Sequence, residues 1–414
     1  MRESEMSLNP AWITGSKRSG TLAEQVLLCV FIALFVQLLF ILVFSSISGL
    51  TPIFVERLGF QIDFNDFIIA TSDWRHGIDP YLRIRFNKSP LTLLAALPFQ
   101  LLGSNIGRIA FLFIDIAIVA ASLAGLCHWF KMTRRECILL YGIASIYFPV
   151  IFLLQRGNLD GIMLGLILVS IFTKNPFIKI LALSLSIGFK VYSILLLIPL
   201  MMARQWRRVA AVLLVLALLM LPFYSLLWSF IVGQTGRSAE LLGAENICPI
   251  GLLSPIDVTD AHHHYALNHA VIFAYLALWI ASYAWMLFKN RGSDLKVKSV
   301  YSFAWMIAMP LQVFPYSGVL LLPLLVLKSR EMSAKGFIAV LDYLFLIGFC
   351  LVGFQQTAFS SYFHYQPAAT LFPHAVRLLN LCNPLGTALV LCSITLQAAD
   401  RNKQIDATRV VPGF

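Results

Sequence analysis

The residues best suited to chemistry lie in one stretch, QIDFNDFIIATSDWRHGIDPYLRIRFNKSP, from Gln61 to Pro90. Asp63 and Asp66 are three apart and share one face if DFNDFIIATSDWR is helical. Arg83, Arg85 and Lys88 follow them. A carboxylate can take a proton from an attacking hydroxyl while nearby cations stabilise a departing phosphate. Carboxylates followed by a basic cluster at a membrane surface therefore suit an anionic lipid headgroup. Each residue also has a plainer reading. Asp63 is otherwise a solvated loop carboxylate or a helix cap, Asp66 a support for the loop, and the three cations anchors reaching lipid headgroups. Two carboxylates are an incomplete ligand set for a divalent ion, so no metal is expected.

The rest of the chain has to hold that stretch at a membrane. Of 414 residues, 59% are hydrophobic and only 12% charged, far from the balance of a soluble domain. A secreted protein, a cytosolic enzyme, a disordered chain and a single-span receptor are excluded. What remains is an all-α polytopic membrane protein forming a single integral membrane domain over 1–414. Apolar runs predict about twelve transmembrane helices, near 25–49, 105–130, 137–154, 159–173, 177–189, 191–203, 209–232, 268–288, 299–314, 317–327, 336–356 and 375–397. The runs 177–189, 191–203 and 317–327 are short and read as broken or tilted helices. The first run follows a polar stretch of about 24 residues and has no small-residue cleavage pattern after it, so it reads as a span and not a removed leader.

The net charge of +11 is a topology signal. With the N-terminus inside, the inner segments hold 21 of the 31 Lys and Arg residues, and nucleic-acid binding is not expected. Both tails, 1–24 and 398–414, are then cytoplasmic. Three long segments face outward: 50–104, with an amphipathic helix near 91–103, then 233–267 and 357–374. Elaboration on one face points to binding or chemistry there. The seven cysteines form no CxxC pair, which argues against a disulfide framework or a zinc site. His262, His263 and His264 are consecutive and do not converge on one ion without partners from elsewhere. His364 and His374 flank the last outer loop, where an imidazole could hydrogen-bond a sugar or a lipid phosphate. Asp115 and Asp342 fall inside expected spans without a companion charge there, so an interhelical hydrogen bond is expected for each.

Three motifs carry a resemblance. The first is Asp-Phe-x-x-Phe-x-x-Ala from Asp63, followed by Gly-x-x-Pro-Tyr (Gly77 to Tyr81) and a Pro-containing amphipathic stretch. The second is QRGNLDGIMLGLILVSI, Gln155 to Ile171, and the third GFKVYSILLLIPLMMARQWRR, Gly188 to Arg208. Over roughly half of the chain these resemble the membrane glycosyltransferases of the GT-C superfamily, most of all the family 87 polyprenol-phosphate-sugar-dependent mannosyltransferase-like proteins.

The resemblance implies a GT-C-like bundle with a helical first outer loop. It also implies an inverting transfer of a hexose from a polyprenyl-phosphate-linked donor to an envelope glycan or glycolipid acceptor. Asp63 would be the general base and Asp66 a second catalytic carboxylate. Arg83, Arg85, Lys88, Arg156 and Lys190 would hold the donor phosphate, and Asn158, Tyr81, His364 and His374 would contact substrate. No cofactor is implied. The expected location is a bacterial inner membrane, with the site facing the periplasm or exterior. The competing expectation is a transporter or flippase of a lipid-linked or polar solute, motivated by Asp115, Asp342 and the short spans.

Overall fold

The computed structural model describes residues 19–47, 62–83, 86, 88–236, 249, 269–309, 315–353 and 381–409. Among them there are helices and turns and no strand. Three helical stretches are long and apolar enough to cross a bilayer: Leu22–Phe40 within α1 (Ser19–Ile47), α5 (Ser104–Trp129) and Trp206–Val232. The last joins α11 (Trp206–Met220) to α12 (Tyr224–Gly236) through a 3-10 turn at Leu221–Phe223. A fourth candidate is broken: α6 (Arg134–Ile146) and α7 (Phe148–Arg156) meet at 55°. Pro149 lies in the first turn of α7, where it has no N–H to continue the α6 ladder.

The other apolar runs form shorter helices. They include α4 (Leu91–Leu101), α8 (Asp160–Phe172), α9 (Pro176–Phe189), the 3-10 segment Val191–Leu196 with α10 (Leu197–Met202), and α16 (Val340–Val352). A 13-residue helix such as α8 rises about 20 Å, short of a hydrocarbon core of about 30 Å. Among the described residues at least three helices, four with the bent pair, are long and apolar enough to cross, and the remaining expected crossings fall on shorter helices or outside the described residues. The single run 137–154 is broken inside its apolar stretch, where Tyr147 separates α6 from α7.

Local signals set several helix starts. Thr133 and Glu136 form a reciprocal capping box on α6. Asn175 accepts from the Phe177 and Ile178 amides at 2.9 and 3.3 Å, with Pro176 opening α9. Asp294 caps α14 (Leu295–Ile307). The chain then continues through α13 (His269–Lys289), which precedes α14, a 3-10 segment at Pro315–Leu320, α15 (Leu321–Lys335) and, after α16, α17 (Cys382–Arg409).

The expected helix after the first span is α2 (Ile62–Arg75), ended by Gly77 at φ +73, and α3 (Pro80–Arg83) follows it. These two and α4 have a core of their own. Phe64, Phe67, Tyr81, Phe86 and Leu91 are buried with Phe111 of α5, Leu159 and Phe223. Phe64 meets Phe111 at 4.8 Å and Trp74 meets Phe223 at 5.2 Å between ring centroids. Thr71 Oγ1 donates to the Leu93 carbonyl at 3.3 Å, Arg75 to Gln100 at 2.5 Å, and Arg108 of α5 to Asn65. The helices α2, α3 and α4 therefore form a cap clamped to one end of the bundle, and Asp63 is held in place with it.

Candidate active site

Asp63 stands in the first turn of α2, where unsatisfied backbone amides favour a negative charge. Its side chain is buried at 5% exposure. Arg156, the last residue of α7, donates to Asp63 Oδ1 at 2.7 Å, and Asn158 donates to Asp63 Oδ2 at 2.5 Å. Gly157 between them adopts φ +65, a left-handed helix end that turns the chain so that both neighbours reach one carboxylate. The Oδ1 of Asn158 is buried with no hydrogen-bond partner among the described residues.

Two residues further on, Asp160 opens α8 and is fully buried. It accepts hydrogen bonds from Lys190 Nζ, at the end of α9, and from the Tyr192 hydroxyl in the 3-10 segment beyond. The corner between α7 and α8 therefore faces two ways, with Arg156 and Asn158 on Asp63 and Asp160 on Lys190 and Tyr192. Lys88 joins the two halves, because Asp63, Asp160, Lys190 and Arg156 are all close enough to influence its charge. Its place is set by Tyr81, which is buried between Phe86 and Phe230 and donates to the Lys88 carbonyl at 2.9 Å.

The electrostatics follow from this crowding. Burial of Asp63 raises its pKa, but Lys88, Arg156 and the Asn158 hydrogen bond outweigh it, so the carboxyl lies below its ordinary value and is ionised. Asp66, one turn on and exposed, moves the other way. Partial burial and then the Asp63 charge hold it above the ordinary carboxylate value. Burial lowers the pKa of Lys88, and its cationic neighbours Lys190 and Arg156 add to that. Lys88, Arg156 and Lys190 face Asp63 and Asp160, with Asp66 close enough to feel Asp63, Lys88 and Arg156. Three cations gathered at one place suit a phosphate-bearing ligand.

Of the residues singled out from sequence, Asp63, Lys88, Arg156, Asn158 and Lys190 converge. Asp66 lies beside them on α2, and Tyr81 lies beneath Lys88 in the cap's core. The Arg83 side chain, Arg85, the run His262 to His264, His364 and His374 lie outside the described residues. Among the described residues no three His, Cys, Asp or Glu side chains group as a metal site. Sequence reasoning passed over Asp160 and Tyr192. Their signal is present, since each stands two residues after a residue that was chosen, Asn158 and Lys190.

Asp115 differs from its expectation. It is buried in α5, yet neither carboxylate oxygen has a hydrogen-bond partner among the described residues. It packs on the start of α8, where a Cβ added to Gly161 would come within 2.1 Å of its Oδ1.

These features define an integral membrane protein with a cationic, carboxylate-bearing site under a helical cap. Residues 86–311 match the family model of glycosyltransferase family 87, more than half of the chain, and the protein belongs to that family. The match contains Lys88, Arg156, Asn158, Asp160, Lys190 and Tyr192, while Asp63 precedes it. No curated protein matches the chain significantly.

Proposed function

We propose that the protein is a GT-C-type transferase that moves a hexose, mannose-like, from a polyprenyl-phosphate donor to an envelope glycan or glycolipid. In this reading the polypeptide crosses a bacterial inner membrane about twelve times, with both tails cytoplasmic and the Asp63 end facing the periplasm or exterior. The observation that carries the proposal is an ionised, buried Asp63 held by Arg156 and Asn158 beside Lys88, in a family 87 chain.

The acceptor hydroxyl attacks C1 of the sugar, and its proton passes to the Asp63 carboxylate. The C1–O bond to phosphate breaks on the opposite face, which inverts the anomeric carbon. The lipid phosphate leaves with the bonding electrons, its charge met by Lys88, Lys190 and Arg156. Arg83 and Arg85 belong to the same basic cluster in sequence. Asp66, exposed and with a raised pKa, receives or relays a proton near the acceptor. The open Oδ1 of Asn158 accepts from a sugar hydroxyl. Tyr81 acts through its hold on Lys88, and His364 and His374 contact sugar or phosphate.

Transfer from a polyprenyl-phosphate hexose by the purified Asp63→Asn protein tests the base. Loss of product with donor binding retained supports the reading, and unchanged turnover removes Asp63 from it. Mass analysis of envelope lipids from cells with and without the protein then names donor and acceptor together.

A further inference from the structure

A cavity lies at the other end of the bundle from Asp63, with a volume of about 240 Å³. It opens among the end of α8, the start of α9, α10, and the starts of α11 and α14. Asp160 and Ser170 are ten residues apart on α8, so the cavity is about 15 Å along that helix from the Asp63 site.

Its two halves differ in chemistry. The floor is aliphatic and buried, formed by Ile171, Leu183, Leu196, Leu200 and Val212. The mouth carries the half-buried cations Lys179, Arg208 and Lys296, with Asp294 as the lining acid. Asp294 is engaged as the α14 cap, accepting from the Lys296 amide at 2.8 Å, and Arg208 donates to Gln205 at 2.6 Å. Three cations against one acid favour an anion, and an aliphatic floor favours one attached to a hydrocarbon. The wall of the cavity is also a helix that faces lipid. Trp206, Leu214 and Leu218 of α11 are each exposed at about 60%, and a Trp at a span's end is a mark of the membrane interface.

We propose that this cavity seats the headgroup and first acyl segment of an anionic phospholipid from the surrounding bilayer. Basic pockets between membrane helices bind such headgroups. The volume equals about eight liquid waters at roughly 30 Å³ each, room for a phosphodiester and glycerol. Nothing in this proposal depends on the reaction assigned to the Asp63 end.

The test is native mass spectrometry of the full-length protein after exchange into equal phosphatidylglycerol and phosphatidylcholine. Wild-type protein should retain phosphatidylglycerol in preference. The Arg208→Gln/Lys296→Gln variant should lose that preference by roughly thirty-fold, from two cations near a headgroup. Arg135→Gln, on a cation whose side chain is 82% exposed elsewhere on the protein, should leave it unchanged. Millimolar inorganic phosphate should not displace the lipid. Equal retention of both lipids, equal loss in Arg135→Gln, or displacement by free phosphate would each overturn the proposal. A folded, monodisperse double variant that still prefers phosphatidylglycerol would do so as well.

Discussion

The two ends of the bundle use the same side chains to opposite effect. At the Asp63 end, Lys88, Arg156 and Lys190 crowd against Asp63, Asp66 and Asp160, and the Asn158 amide oxygen has no partner among the described residues. At the other end, Lys328 is fully buried and reaches Glu331 at 3.1 Å, Asp342 at 3.4 Å and Gln397. Gln397 donates to Asp342 at 2.6 Å, Lys335 meets Asp342 at 3.2 Å, and Tyr301 donates to Glu331. There two cations balance two carboxylates, and α14 to α17 are tied together. A closed, neutral network specifies how helices pack. An open one, with a buried polar atom left over, is prepared for a ligand that supplies the missing hydrogen bond.

The largest contrast expected is between turnover and stability. Asp63→Asn should reduce sugar transfer by about 10²–10⁴-fold, the range of a general base, and lower the thermal midpoint only by what its ion pair with the part-exposed Arg156 contributes. Lys328→Met should do the reverse. It leaves Glu331 buried without its cation and Asp342 with Lys335 alone, at a cost of about 3–5 kcal/mol in denaturant unfolding, with transfer per folded molecule unchanged. Adding Asp342→Asn should recover part of that loss. If Asp63→Asn instead unfolds the protein as Lys328→Met does, the distinction between the two ends fails.

A smaller effect lies in the pH dependence. Asp63 has a lowered pKa, so it stays ionised as pH falls, and the acid limb of turnover should lie below the ordinary value of ~3.9. The stability that Asp63 contributes is complete above its unfolded pKa and is lost as pH drops through the lower folded value. Lys88 is also lowered, so it loses its proton below ~10.4. Donor KM should therefore rise on the alkaline side earlier than an ordinary lysine would allow. In Lys88→Arg that limb should disappear, because guanidinium keeps its proton. An alkaline limb that survives the substitution would assign it to another group.

Much of the Asp63 end was legible because its residues are polar inside apolar surroundings. Arg156, Asn158 and Lys190 stand at the ends of hydrophobic runs, where a charge needs a reason, while Asp63 was picked out by the motif it opens. Asp160 and Tyr192 escaped because they sit at the head of such runs and read as part of them. At the other end the interhelical hydrogen bond expected of Asp342 is present, from Gln397 at 2.6 Å, but the cations around it were not foreseen. Lys328 and Lys335 look like loop charges, and Asp342 looks like a carboxylate stranded in a span. In the fold α16 begins only at Val340, so Asp342 caps its first turn, accepting from the Ala339 amide at 3.0 Å and from both lysines. Hydropathy locates apolar mass but not the turn at which a helix starts. A shift of a few residues changes an isolated acid into the centre of a network.

The smallest expected effect separates two adjacent residues of α6. Arg135 approaches Glu24 of α1 at 3.5 Å, but its side chain is 82% exposed. The neighbouring Glu136 is fully buried and bonds Arg330 of α15 at 2.8 Å while completing the Thr133 capping box. Arg135→Gln should change stability by no more than about 0.5 kcal/mol, and salt should erase even that. Arg330→Gln strands a buried carboxylate and should cost several-fold more, with little dependence on salt. Urea titrations of both variants at low and high ionic strength would measure this. An equal, salt-sensitive loss in the two would mean that the second end is held by surface charge, and its contrast with the Asp63 end would then rest on Lys328 alone.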